Sequence, residues 1–191
     1  MGLDINIDAD NYEELHSADY YDEKNNYFNK HRLSRTFCNF IGRQDVISHE
    51  PELDQIGRIT GVDISPIYEM ESYPEEEGLD FFLKTADGED ERQNILKKAQ
   101  EDKAKLTGNI DKLLKTINDL IDKLNSIENL SELLLPTDLD SLGNKEYFAD
   151  FQIDKGKGYI RNNFGQDLRN FKRFLKFAKE RGTTTVWFNY G

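Results

Sequence analysis

The chain has 191 residues, 37% of them apolar and 12% aromatic, and its 37 acidic against 25 basic side chains give a formal charge of −12. That length suits one domain, able to bury roughly 70% of the surface its unfolded chain exposes. The single cysteine, Cys38, excludes a disulfide framework and a multi-cysteine metal site, and without a secretory leader or a run of about 20 apolar residues the expectation is a soluble, cytoplasmic protein that spans no membrane.

Leu3, Ile5 and Ile7 alternate with Asp4, Asn6 and Asp8, the period of a strand with one polar face. After a polar, tyrosine-rich stretch, Tyr27, Phe28, His31, Leu33, Phe37, Phe40 and Ile41 recur near helical spacing and stop at Gly42. Residues 43–57, broken by Pro51 and Gly57, are expected as loop with a short helical turn. Ile59 to Met70 and Leu79 to Lys84 read as strands, a hairpin or two edge strands around the acidic loop from Tyr73 to Gly78.

The clearest periodicity follows. Ile110, Leu113, Ile117, Leu120, Leu124 and Ile127 recur at alternating three- and four-residue steps, and Leu114 and Ile121 widen the stripe. A stripe so wide predicts a helix over 109–130 buried against a protein core, not a narrow coiled-coil seam. Whether this chain or a second copy covers it is left open by the pattern. Leu96, Ala99 and Leu106 extend the register upstream, Asp90 with Gln93 offers a capping box, and Gly108 marks a kink or turn. The result is a helical arm over about 90–134, stopped by Pro136.

Tyr147 to Ile153 is expected as a strand and Lys155, Gly156, Lys157 and Gly158 as a basic loop. Leu168, Phe171, Phe174, Leu175 and Ala178 predict an amphipathic helix whose opposite face carries Arg169, Lys172, Arg173, Lys176 and Lys179, with Gly182 as its stop. Thr183 to Tyr190 closes the chain as a β-branched and aromatic strand. Together these elements predict one α+β domain over 1–191. Its small, mainly antiparallel sheet includes both terminal strands and packs with helices, and a helical insertion occupies about 90–134.

Candidate chemistry is sparse. Asp4, Asn6, Asp8 and Asp10 imitate the start of a calcium loop, but Ala9 stands where the turn needs glycine and Leu15 where the bidentate glutamate belongs. His16, His31 and His49 lack metal-binding spacing, so no metal or cofactor is expected. His31 with Cys38 is the one nucleophile pair, and a buried, inert Cys38 is the simpler reading. The basic segment matches neither Gly-rich phosphate-binding pattern.

Charge is the stronger signal. Residues 1–150 hold 34 acidic against 16 basic side chains and residues 151–191 hold 3 against 9, a body near −18 with a tail near +6. The candidate interaction surface is therefore the acidic run Glu75, Glu76 and Glu77 together with Lys155, Lys157, Arg169, Lys172, Arg173 and Lys176. Tyr159 and Phe164, interleaved with the basic residues, also suit stacking against nucleic acid.

Met1-Gly2-Leu3-Asp4 opening a first strand, the aromatic helix near 27–41, Leu134-Leu135-Pro136-Thr137 after a long helix and an aromatic final strand form a familiar order. The chain resembles small phage- and prophage-encoded proteins of undetermined function that begin with the same four residues. It departs from them at Asp138 to Gly143, where they often carry a Gly-Phe-Phe-Phe-Gly run, and at its end, where Trp187-Phe188-Asn189-Tyr190 replaces a Ser-Ser-Trp-like close. The resemblance implies a compact α+β domain from a bacterial mobile element or its host, and it transfers no catalytic residue.

The leading expectation is a non-enzymatic accessory protein that binds another protein through charged surfaces. The alternatives are an enzyme whose carboxylates converge only in three dimensions and a nucleic-acid module using the basic C-terminal helix. Oligomeric state is left open.

Overall fold

The computed structural model describes residues 5–19, 32–42, 48–135, 144–154 and 161–190. In chain order these form β1 (Ile5–Ala9), α1 (Tyr12–Asp19), α2 (Arg35–Ile41), α3 (Glu52–Thr60), α4 (Ser65–Glu69) and a 3-10 turn (Met70–Ser72). Then come α5 (Glu76–Thr85), α6 (Glu89–Leu106), α7 (Ile110–Leu124), α8 (Leu130–Leu133), α9 (Asn144–Phe148), α10 (Phe164–Glu180) and β2 (Val186–Tyr190). The fold is a small α+β arrangement whose strands pair antiparallel, with Ile5 opposite Tyr190, Ile7 opposite Phe188 and Ala9 opposite Val186.

The alternation of β1 decides which face is covered. Ile5, Ile7 and Ala9 are buried, as are Val186 and Phe188 across from them, and Phe188 meets Phe171 of α10 with ring centroids 6.0 Å apart. The polar positions of the same strand hold it in place. Asp8 accepts from the Asn189 amide at 2.8 Å, and the Asp10 carboxylate accepts from the backbone N–H groups of Thr184 and Thr185 at 3.1–3.2 Å. Two of the residues that imitate a calcium loop, Asp8 and Asp10, are thus hydrogen-bonded to the opposite end of the chain. Asn109 acts as a further edge partner, donating to the Val186 carbonyl at 2.7 Å and accepting from the Val186 N–H at 2.9 Å.

α10 runs through the centre, with 11 of its 17 residues buried, and packs against α7. Leu113, Ile117, Leu120 and Leu124 of α7 are at most 1% exposed. The wide apolar stripe is therefore covered within the chain, which settles the point the periodicity left open. Asn163 caps α10 by accepting from the Gln166 N–H, and Gly182, with φ of 86°, follows its end. Gly165 is required for a different reason: a Cβ there would lie 2.0 Å from the Phe151 carbonyl oxygen.

Three expectations are corrected. Residues 52–72 form α3, α4 and a 3-10 turn where loop and strand were expected. Leu53 and Ile56 bury one face of α3, Gly61 ends it in the left-handed region, and Pro66 sits in the first turn of α4. Leu79 to Lys84 lies in α5, where Glu76 and Glu77 in the first turn complement the helix dipole, so the acidic run is a helix start and not a hairpin loop. Tyr147 and Phe148 end α9, followed by a turn with Asp150 at φ 52°, in place of a strand.

The arm over 90–134 is divided. Gly108, with φ of 76°, separates α6 from α7, and α7 belongs to the core. No side chain caps α6 in the way the Asp90–Gln93 box predicts. Its N-cap is Gly88, and Gln93 bonds Glu89 instead. Ser34, in extended conformation, caps α2, which begins at Arg35, so Leu33, expected within a helix, precedes it. The expected turns of that helix near Tyr27, together with His31, Pro136 and the loop around Lys155 and Lys157, lie outside the described residues. Among the described residues no helix is long and apolar enough to cross a membrane.

Candidate functional site

α5 and α6 carry matching stripes. Glu75, Gly78, Leu79 and Phe82 on one, and Ile95, Lys98, Ala99 and Asp102 on the other, each follow the i, i+3, i+4, i+7 spacing of one helix face. These two stripes line a groove of about 590 Å³, together with Tyr73, Pro74 and Phe188. This volume lies in the range of ligand and peptide sites. A three-residue link, 86–88, joins α5 to α6, and the two helices pack against each other.

The hairpin contributes little to the core. No residue of α5 is buried, and of α6 only Leu106 is. Phe81 and Phe82 remain 62% and 58% exposed and meet edge-on at 5.9 Å. Adjacent exposed phenylalanines beside an open groove are the feature a binding surface shows and a simply solvated helix does not.

The inner end of the groove is polar. Tyr73 stacks on Trp187 with centroids 3.9 Å apart and an interplanar angle of 12°, and the Lys103 ammonium lies 5.8 Å over the Tyr73 ring. The Glu75 carboxyl lies near the Trp187 indole. Burial, reinforced by the nearby Asp8 charge, pushes the Glu75 carboxyl above the usual glutamate range, while the indole N–H opposes that shift. Asp102 pairs with Lys105 at 3.2 Å.

The sequence-derived candidates separate. Glu75 lines the groove, while Glu76 and Glu77 are exposed in the first turn of α5. On α10, the Arg169 guanidinium is turned inward, donating to the carbonyls of Phe151 and Ile153 at 2.9 Å each. Burial holds its pKa below the usual arginine value, against the opposing charge of Asp154. Arg173 donates to Asn170 at 2.6 Å and lies 4.0 Å from Asp154. Lys172 is half-buried and Lys176 exposed, while Lys179 forms an ion pair with Asp111 of α7. The basic face of α10 is thus joined in part to acidic groups of the body. Lys155 and Lys157 lie outside the described residues.

A second polar constellation has no counterpart in the sequence reading. Asp167 is wholly buried, and its carboxylate accepts from the Ser34 N–H (2.9 Å), the Ser34 hydroxyl (2.5 Å), the Tyr147 hydroxyl (2.7 Å) and the Asn162 amide (2.8 Å). Burial raises the Asp167 pKa despite these four donors, and it pushes that of Tyr147 well up, helped by the Asp167 charge. Ser34, Tyr147, Asn162 and Asp167 are all buried. The cluster therefore joins α2, α9 and α10 and is sealed from any substrate. Cys38 is 1% exposed, in keeping with a packing role.

The remaining cavities offer less. An apolar void of about 10 Å³ lies between Phe37, Ile56, Leu120 and Leu168. A polar hollow of about 540 Å³ beside α7 is lined by charges that pair with neighbours, Lys115 with Asp119 and Lys112 with Glu69. Among the described residues no cluster of His, Cys, Asp and Glu is arranged to hold a metal ion. No family model matches the chain, and neither a curated protein nor a solved structure matches it.

Proposed function

We propose that this protein is a non-enzymatic, cytoplasmic accessory protein of phage or mobile-element type that binds another protein at the groove between α5 and α6. The observation that carries this reading is the contrast within that hairpin: apolar side chains at helical spacing line an open groove, and Phe81 and Phe82 stand beside it more than half exposed. Covering the exposed part of this aromatic pair by a partner releases a favourable burial free energy. Glu75, the first residue of the acidic run, lines the same groove, so an acidic and an apolar contribution to binding coincide there.

The test is affinity capture of the tagged protein from a bacterial lysate, with nuclease treatment, comparing the wild type with Phe82→Ser. One dominant protein that withstands nuclease and is lost from the variant is the expected result. Capture of nucleic acid alone, or of the same protein by both forms, contradicts the assignment.

A further inference from the structure

We infer that the groove takes an amphipathic helical segment of the partner, with apolar anchors at one end and a lysine or arginine about two helical turns away. The inference rests on the groove being the docking site and specifies the chemistry of what docks. Two helices presenting i, i+3, i+4, i+7 stripes to a common groove provide the ridges into which a third helix packs. The volume admits a few side chains of such a segment, not a folded domain.

Polarity along the groove sets the occupant's pattern. Of the lining residues, Phe82 and Ile95 stand nearest the link between the two helices in sequence and Glu75 and Asp102 farthest from it, with Glu71 a further carboxylate and Asp102 already paired with Lys105. Glu75 and Phe82 are seven residues apart on α5, or ~10 Å at ~1.5 Å per residue. A helix lying alongside brings a cation to the carboxylates when that cation stands about seven residues from its apolar anchors. Lys98 is the one basic residue among those lining the groove, so the lining carries more negative than positive charge. The chain's overall charge of −12 adds attraction for basic segments and repulsion of acidic ones.

The only tryptophan, Trp187, stacks on the groove residue Tyr73 and is a local reporter. The full-length protein is titrated with two synthetic amphipathic peptides lacking Trp and Tyr. One carries leucine anchors with lysines two turns away, and the other carries glutamates in place of the lysines. Trp187 emission and the anisotropy of labelled peptide are followed together.

The expected result is saturable binding of the lysine peptide alone. It should weaken roughly tenfold when Glu71→Gln and Glu75→Gln are combined, the scale of one charge-assisted contact, and be lost in Phe82→Ser. Phe82 is exposed and Glu71 and Glu75 are only part-buried, and circular dichroism on each variant checks that the fold is kept. Equal binding of the two peptides, or indifference to the glutamine pair, overturns the inference. Self-association that disappears in Phe82→Ser also overturns it, by assigning the groove to a second copy. Failure of the lysine peptide while Phe82-dependent capture of a protein persists removes this occupant and leaves the docking site. Loss of that dependence removes the site itself.

Discussion

α10 and α5 are both amphipathic helices, yet they use their apolar faces in opposite ways. α10 buries Phe171, Phe174 and Leu175 to 3% exposure or less, whereas Phe81 and Phe82 of α5 stay at 62% and 58%. The difference lies in what each helix is pinned by. α10 is held from several sides, by α7, by β2 and by the Asp167 carboxylate reaching Ser34 and Tyr147. α5 has α6 alongside, and α6 is itself mostly exposed. Amphipathicity in a sequence therefore establishes that a face is destined for burial, but not that its own chain supplies the cover.

The comparison breaks most visibly at Phe171. Phe171→Ala removes a fully buried ring and is expected to cost about 4 kcal/mol, whereas Phe82→Ser is expected to change stability by less than about 0.5 kcal/mol, as for a surface site. Urea denaturation of both variants checks the pair. Similar losses would mean that α5 belongs to the cooperative core.

A smaller loss is expected at the buried carboxyl. Asp167→Asn turns an amide NH₂ toward groups that are themselves donors and should cost about 3 kcal/mol. The effect carries a pH signature. Burial raises the folded-state pKa of Asp167, so the folded chain holds that proton more tightly than the unfolded chain. The associated stability is complete below the ordinary carboxylate pKa and declines as pH rises through the raised value. The gap between wild type and variant, followed by denaturation at a series of pH values, should narrow over that rise. A gap that widens would show the carboxyl to be stabilised in its charged form.

Legibility in the sequence followed how cleanly an element repeats its own period. The alternation of Ile5 and Ile7, the stripe from Ile110 to Leu124 and the two faces of α10 each persist over several periods, and all three elements are present. α3, α4 and α9 are 9, 5 and 5 residues long, which allows few turns in which helical spacing can be told from alternation. Ile59, Thr60, Val62 and Ile64 then bias the reading toward strand, because β-branched residues favour it until packing overrides them. The groove was hidden by the same misassignment. Once Leu79 and Phe82 are placed on a helix, their spacing from Glu75, four and seven residues, repeats that of Lys98 and Ile95 before Asp102. The Asp167 cluster had no local signal, since its donors Ser34 and Tyr147 come from distant parts of the chain.

The most direct measurement is photocrosslinking with p-benzoylphenylalanine placed at position 82 in the groove and, as a control, at exposed position 123 on α7. Nuclease-resistant covalent capture of one protein from position 82 and not from position 123 is expected if the hairpin is the docking surface. Capture from position 123 alone, or none from position 82 while the tagged protein still retains its partner, would contradict it.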